Sequence, residues 1–157
     1  LYHSEQDYIS LEEELAYLRQ YCELESLRSP FEYTIKVAEN LDVFNTEVPS
    51  MLLQPYVENA ILHGLREPPG QPELEVWIHQ EGKILRCEIT DNGQGIKASQ
   101  EQKSPSDFAP KLHGMGLSAE RIRLLNLRLR KKITLEVVDR QQSENQPGTR
   151  IIINIPQ

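Results

Sequence analysis

This chain lacks the raw material for a disulfide or metal–thiolate framework. Its two cysteines in 157 residues, Cys22 and Cys87, stand apart from each other and from any histidine at ligand spacing. That pattern reads as neutral thiols in a reducing compartment. Long apolar runs are absent as well: no stretch approaches the roughly 20 residues that span a bilayer. The N-terminal LYHSEQDY has no basic flank followed by an apolar core, so it does not read as a signal peptide. Positive charge is not in excess. The formal net charge is −7, which argues against a general grip on nucleic acid, since that needs a basic surface to replace phosphate counterions. There is also no G-x-x-x-x-G-K-[ST] and no G-x-G-x-x-G after a strand, which removes the P-loop and the dinucleotide-binding fold.

With 38% hydrophobic and 26% charged residues, the chain has the mix of one soluble globular domain. A domain of this length buries roughly two thirds of its unfolded surface, enough for a core without staples. Because it begins with Leu rather than Met, it is expected to be a piece of a longer protein, which could itself be membrane-bound.

The punctuation of the chain predicts its elements. Residues 1–9 read as a linker end, and Ser10 with Glu13 has capping-box spacing, which predicts a helix over about 10–28. Leu11, Leu15, Leu18 and Cys22, with Tyr17, Tyr21 and Leu24 beside them, form one broad apolar face. Pro30 stops that helix, and Phe31 to Ala38 alternates as a strand. A second helical segment runs from Pro49 to about Gly64, with a bend or late start at Pro55, whose ring removes a helical hydrogen bond. Tyr56, Asn59 and His63 share one face of it, while Leu53, Val57, Ala60 and Ile61 can face the core. Leu74–His79 and Ile84–Thr90 read as a hairpin across Glu81, Gly82 and Lys83. Residues 97–113 form a long polar connection of the kind that serves as a lid or binding loop. A third helix is expected over 117–132, with Ile122, Leu125 and Leu129 inward and its late basic residues complementing the helix dipole. Strands over 133–138 and 150–155 close the chain.

Three short segments carry the chemistry. DNGQG, Asp91 to Gly95, follows a strand; Asp91 can accept a hydrogen bond from an exocyclic amine such as that of adenine, and Gly93 and Gly95 leave room for a flat base. The same letters also describe a surface turn. Gly114-Met115-Gly116 precedes a helix, so its amides can face phosphate oxygens, or it is simply a helix-entry turn. Asn59, in ENAILHG, offers a neutral oxygen suited to Mg²⁺ that stays largely coordinated by water and phosphate, although a lone Asn on a helix is commonly just solvated.

In combination these segments resemble the GHKL ATP-binding family shared by histidine kinases, gyrase, Hsp90 and MutL. LQPYVENAILHG is similar to its N-box, DNGQG to the first glycine box, GMGL to the second, and GTRIIINIP to the terminal Gly-Thr strand. The wording of the N-box, with EEELAYLRQYCELESLR before it, resembles the LytS-like sensor histidine kinases. The resemblance implies a two-layer α/β (α+β) sandwich, a mixed sheet with about three helices on one face, over residues 10–157. It implies that Asn59 binds Mg²⁺, that Asp91 reads the adenine amine, and that Gly93 and Gly95 shape the base pocket. Gly114, Gly116 and Leu117 would then flank the phosphates, Thr149 would help at the adenine end, and residues 97–113 would be the ATP lid, with Lys103 and Lys111 as phosphate contacts or solvated lysines. His63 is either a nucleotide contact or a structural histidine, and Glu58 either acts on the transfer side or makes a salt bridge or cap.

The hydrolysing members of the family carry a Glu four residues before the magnesium Asn. Here that position is Pro55, which disfavours hydrolysis, and Glu58 is rotated about 100° from Asn59 on a helix. The phosphoacceptor histidine expected in an NPHF-type motif is absent, and His3 lacks that context. The expectation is therefore a domain that binds ATP and Mg²⁺ and, in a homodimeric full-length kinase, donates the γ-phosphate to a His on an upstream region of the same protein or its dimer mate. The phosphate would then pass to a response regulator. The alternatives are a GHKL ATPase or clamp module and a degenerate interaction domain. The expected location is cytoplasmic, within a membrane-anchored protein.

Overall fold

The computed structural model describes residues 8–65, 70–95 and 119–157. The expected lid, with Lys103 and Lys111, lies outside the described residues, as do Gly114, Gly116 and Leu117.

Alternation at period two builds the main sheet. Leu74, Val76 and Ile78 of β4 (Glu73–Glu81), Leu85, Cys87 and Ile89 of β5 (Ile84–Asp91), and Ile151, Ile153 and Ile155 of β7 (Thr149–Pro156) all turn inward and are buried. With β2 (Glu32–Val37) and β6 (Thr134–Asp139) they form a five-stranded sheet in the order β2-β4-β5-β7-β6. Only the β2–β4 pair is parallel; the others are antiparallel. The hairpin read from the sequence is present, with Glu81 opposite Ile84.

The helices cover one face, as expected. Leu11, Leu15, Leu18 and Cys22 of α1 (Leu11–Arg28) join Leu53, the α2 (Gln54–Asn59) residues Tyr56 and Val57, and Ile122 in one cluster with the inward sheet residues. Each fully buried leucine of α1 contributes roughly 2 kcal/mol by leaving water. Burial pushes the thiol pKa of Cys22 up to about 11 and that of Cys87 to about 12, so both stay neutral, as read from their isolation. On the opposite face polar side chains pair across strands: His79 Nε2 lies 3.0 Å from Glu88 Oε2, and Trp77 stacks on the His79 ring at 5.2 Å.

The start of α1 differs from expectation in two ways. Tyr8–Ser10 is a strand, β1, paired antiparallel with β3 (Glu47–Pro49), and Ile9 packs on the core, so ordered structure begins before Ser10. Ser10 Oγ accepts from the Glu13 amide at 3.2 Å, while Glu13 is exposed and makes no return bond. Instead the carbonyls of Thr46 and Val43 take the amides of Leu11 and Glu12 at 2.7 and 3.0 Å. A tertiary loop thus satisfies donors that the capping box leaves open. The apolar face is also narrower than its letters suggest: Tyr17 and Leu24 are exposed, and the buried row runs through Glu14.

Glu14 is fully buried, and among the described residues its carboxylate oxygens make no hydrogen bond within normal limits. Burial raises its pKa; the nearby amides of Met51 and Leu52, the Arg121 guanidinium and the Gln54 side chain oppose the rise without cancelling it. Tyr17 and Cys87 also feel its charge, but both titrate far above it. With the folded value above the ordinary 4.5, the stability linked to this group is complete below the ordinary value and is lost as pH rises through the folded one. Glu14→Gln has no such charge. Its melting temperature is expected to climb relative to wild type as pH rises above the ordinary 4.5, and a difference that stays flat from there to neutral pH would contradict this account.

The remaining differences are local. Helix α2 begins at Gln54, the late start that Pro55 predicted, with the proline in its first turn. Beyond Asn59 the chain widens into a π-helical turn, Ala60–Gly64, closed by the Leu65 amide on the Ala60 carbonyl at 2.8 Å. Residues 119–126 (α3) are helical and residues 127–128 form a turn, so the third helix ends earlier than 132. Its inward positions hold: Ile122 is buried, and Leu125 and Leu129 pack on the core. A further short helix, α4 (Arg140–Glu144), lies between β6 and β7.

Candidate nucleotide site

At the end of β5 three segments converge on Asp91. The strand's alternation points this carboxylate to the helical side, where it is only 5% exposed. Its Oδ1 accepts from the amide of Gly93 at 2.9 Å and from that of Thr149 at 3.3 Å. The first bond is an Asx turn that folds DNGQG back on itself. The second joins the first glycine box to the Gly-Thr strand across 58 positions of sequence. A buried carboxylate held by two amides on Oδ1 has a fixed orientation, and a carboxylate held in this way is an acceptor suited to an amine donor.

Glycines permit this convergence. A methyl group on Gly64 would lie 2.6 Å from Asp91 Oδ2, and one on Gly93 would lie 1.3 Å from the carbonyl oxygen of Gly64. On Gly148, at φ +101°, it would lie 1.8 Å from the Asp91 carbonyl oxygen. The backbone itself therefore walls the carboxylate. At Gly93 this differs from expectation, because the space freed by the missing side chain is filled by the Gly64 carbonyl rather than left for a base. Gly95 has positive φ (84°) and faces the Gly148 carbonyl across an ordinary contact distance.

Helix α2 and the π turn after it carry the other expected groups, on the segment that ends at Gly64 beside Asp91. Asn59 is the last residue of α2, half-buried, and its side chain makes no capping hydrogen bond to the turn that follows. No cluster of three His, Cys, Asp or Glu able to hold a metal occurs among the described residues. A magnesium ion held by Asn59 would accordingly depend on water and phosphate for its other ligands, a donor set this ion accepts. His63 is half-buried in the π turn, and that turn ends at Gly64 beside Asp91. Widened turns of this kind often occur at functional sites. Tyr56, assigned by spacing to the same face as Asn59, is instead 2% exposed and part of the core. Glu58 points toward α1, where its Oε1 accepts from the Tyr17 hydroxyl at 3.3 Å. Burial and the Glu58 carboxylate raise the Tyr17 pKa, which keeps this donor protonated.

Three contributors escaped the sequence reading. Gly64 and Gly148 stood inside the recognised boxes, but their closeness to Asp91 has no local signal. Asn92 has one: an Asn between Asp and Gly in a turn. It braces the chain, its Oδ1 accepting from the Glu73 amide at 2.8 Å and its Nδ2 donating to the Gln71 carbonyl at 2.7 Å.

Comparisons with known proteins bear on the family and the fold. Residues 49–157 match the family described as histidine kinase-, DNA gyrase B-, and HSP90-like ATPase. The Bacillus cereus sensor protein LytS is 33% identical over 150 residues, which is 94% of this chain and 25% of that protein. The chain thus spans about a quarter of the length of the curated relatives it matches. Among solved structures, the mycobacterial sensor histidine kinase MprB superposes with a TM-score of 0.58 at 21% identity, over 95% of each chain. The histidine kinase ThkA, in complex with the response regulator protein TrrA, superposes with a TM-score of 0.58 at 13% identity, over 95% of this chain and 41% of that one. Fold, ordered boxes and kinship together establish that this chain belongs to the histidine kinase-, DNA gyrase B-, and HSP90-like ATPase family, as an ATP-binding domain of the LytS-like sensor kinase type.

Proposed function

We propose that the domain binds Mg²⁺-ATP and that, within its full-length protein, it donates the γ-phosphate to a histidine of an upstream region, from which it passes to an aspartate of a response regulator. The observation that carries the reading is the buried Asp91 carboxylate, anchored through Oδ1 by the Gly93 and Thr149 amides. In this reading the carboxylate accepts from the adenine amine and so selects adenine over guanine, with Gly95 and Thr149 beside the base. Asn59 holds the magnesium ion, which supplies charge neutralisation on the phosphates, and His63 approaches the nucleotide from the same helix. Gly114, Gly116 and Leu117 complete the phosphate side. Phosphoryl transfer needs positioning and charge neutralisation more than covalent help from the protein. Pro55, in place of a water-polarising acid, favours transfer over hydrolysis, and Glu58 is left to assist from the α1 side. The protein would act in the cytoplasm, as a homodimer anchored at the membrane.

Calorimetric titration with a non-hydrolysable ATP analogue, with and without Mg²⁺, tests the reading. Wild type is expected to bind in both conditions and more tightly with the metal. Asn59→Ala is expected to lose most of the metal-dependent gain while keeping metal-free binding. Absence of binding by wild type would overturn the reading, and steady phosphate release by the domain alone would favour an ATPase instead.

A further inference from the structure

The base of the site is joined by a residue that belongs to none of the recognised boxes. Arg140, the first residue of α4, is largely buried, its side chain 15% exposed. Its Nη1 donates to two main-chain carbonyls, Asp91 and Pro147, each at 2.9 Å. Its own amide donates to the Gly148 carbonyl at 3.1 Å, and its carbonyl accepts from the Gln146 amide at 3.2 Å. The guanidinium therefore stitches the end of β5 to the turn that enters β7, the two segments whose register sets the Thr149–Asp91 bond.

Local structure is arranged to place this side chain. Asp139 caps α4 by accepting from the Gln141 amide at 3.0 Å, and Asn145 ends the helix in the left-handed conformation at φ 54°, turning the chain back over Arg140. Glu144 Oε2 holds Arg140 Nε at 3.3 Å. Its other oxygen pairs with Arg150, whose Nε donates to Thr90 Oγ1 at 3.1 Å. The planar fork of Arg suits this task, because several donors leave it in fixed directions, whereas an ammonium acts as a single compact point.

We propose that Arg140 is a positioning residue for adenine recognition, tying the main chain of Asp91 to the Pro147–Gly148 turn so that the Asp91 carboxylate keeps the orientation that reads the base. The proposal rests on the ATP-binding reading above and adds to it a residue that touches neither base nor phosphate.

The test measures affinity for ATP and for inosine triphosphate, which lacks the exocyclic amine, in wild type, Arg140→Met, Arg140→Lys and Glu144→Gln. Arg140→Met is expected to weaken ATP binding about ten-fold, the scale of one or two lost hydrogen bonds from a charged donor. Its weak inosine triphosphate binding should stay near wild type, so that discrimination between the two bases collapses. Glu144→Gln, which removes the charge from the ion pairs with Arg140 and Arg150 but leaves the Nη1 bonds to the two carbonyls, should remain within about two-fold of wild type for both ligands. Should Arg140→Met fail to fold, Arg140→Lys decides: it keeps the charge on a shorter stem without the guanidinium's fixed directions, so its ammonium reaches the two carbonyls held by Nη1 less well, and an intermediate loss specific to ATP is expected. Equal weakening of both nucleotides, or wild-type ATP affinity in a folded Arg140 variant, would overturn the proposal. Wild type that fails to bind ATP would instead sink the functional reading itself, so the two failures are separable.

Discussion

Asp91→Asn is expected to lower ATP affinity by about 100-fold while leaving the melting temperature within a few degrees of wild type. The substitution is nearly isosteric. With its oxygen in the Oδ1 position, the new amide still accepts from Gly93 and Thr149, at the 2.9 and 3.3 Å seen for the carboxylate. Its nitrogen must then take the Oδ2 position beside Gly64, where it presents a donor to the adenine amine, itself a donor. Loss of a charge-assisted hydrogen bond, worth about 1.5–3 kcal/mol, gives an effect of this size. Titration calorimetry with thermal melts separates the two effects. Unchanged affinity in a folded Asp91→Asn protein would remove Asp91 from the adenine-reading role.

Gly93→Ala is expected to produce the largest loss of stability, more than about 3 kcal/mol, with nucleotide binding lost in parallel. The added methyl would sit 1.3 Å from the Gly64 carbonyl oxygen, a backbone atom that cannot move aside as a side chain would. Relief requires either the π-helical end of α2 or the β5 turn to shift by an ångström or more, and each shift pulls Gly64 away from Asp91. Gly148→Ala is expected to behave similarly, since its methyl would lie 1.8 Å from the Asp91 carbonyl oxygen and its φ of +101° disfavours any side chain. Gly95→Ala provides the contrast: its nearest neighbour is 3.5 Å away, and only its φ of +84° opposes the change, so a loss nearer 1 kcal/mol is expected. Urea unfolding of the three variants checks the order. Gly93→Ala as mild as Gly95→Ala would mean that the close approach of Gly64 is not a feature of the folded protein.

Periodicity made the sheet and its covering helices legible. Strands β4, β5 and β7 alternate cleanly because one face of each is buried, and the alternation of one chain segment is visible without its partners. The late start of α2 was equally legible, since proline acts within its own turn. What misled was composition on the helices. Tyr17 and Leu24 look like core residues and are exposed, while Glu14 looks like surface and is fully buried. Helical spacing identifies a face, but which residues on its margin are covered depends on where the neighbouring α2 turn and α3 lie. Tyr56 is the converse case, placed with Asn59 by spacing and drawn into the core by packing against α1 and the sheet.

The sequence by itself determined that this is an α/β ATP-binding domain of its family, because the boxes that name it are short runs whose chemistry is local: an Asp after a strand, an Asn on a helix, a Gly-Thr entering a strand. How those runs become a site follows from contacts between distant segments. The amide of Thr149 meets Asp91 across 58 positions and the guanidinium of Arg140 meets its carbonyl across 49. Nothing within either segment encodes the other; the antiparallel pairing of β5 with β7 brings them together. Gly64, Gly93 and Gly148 then appear as requirements for close backbone approach around one carboxylate, a role that a string of letters cannot distinguish from an ordinary turn.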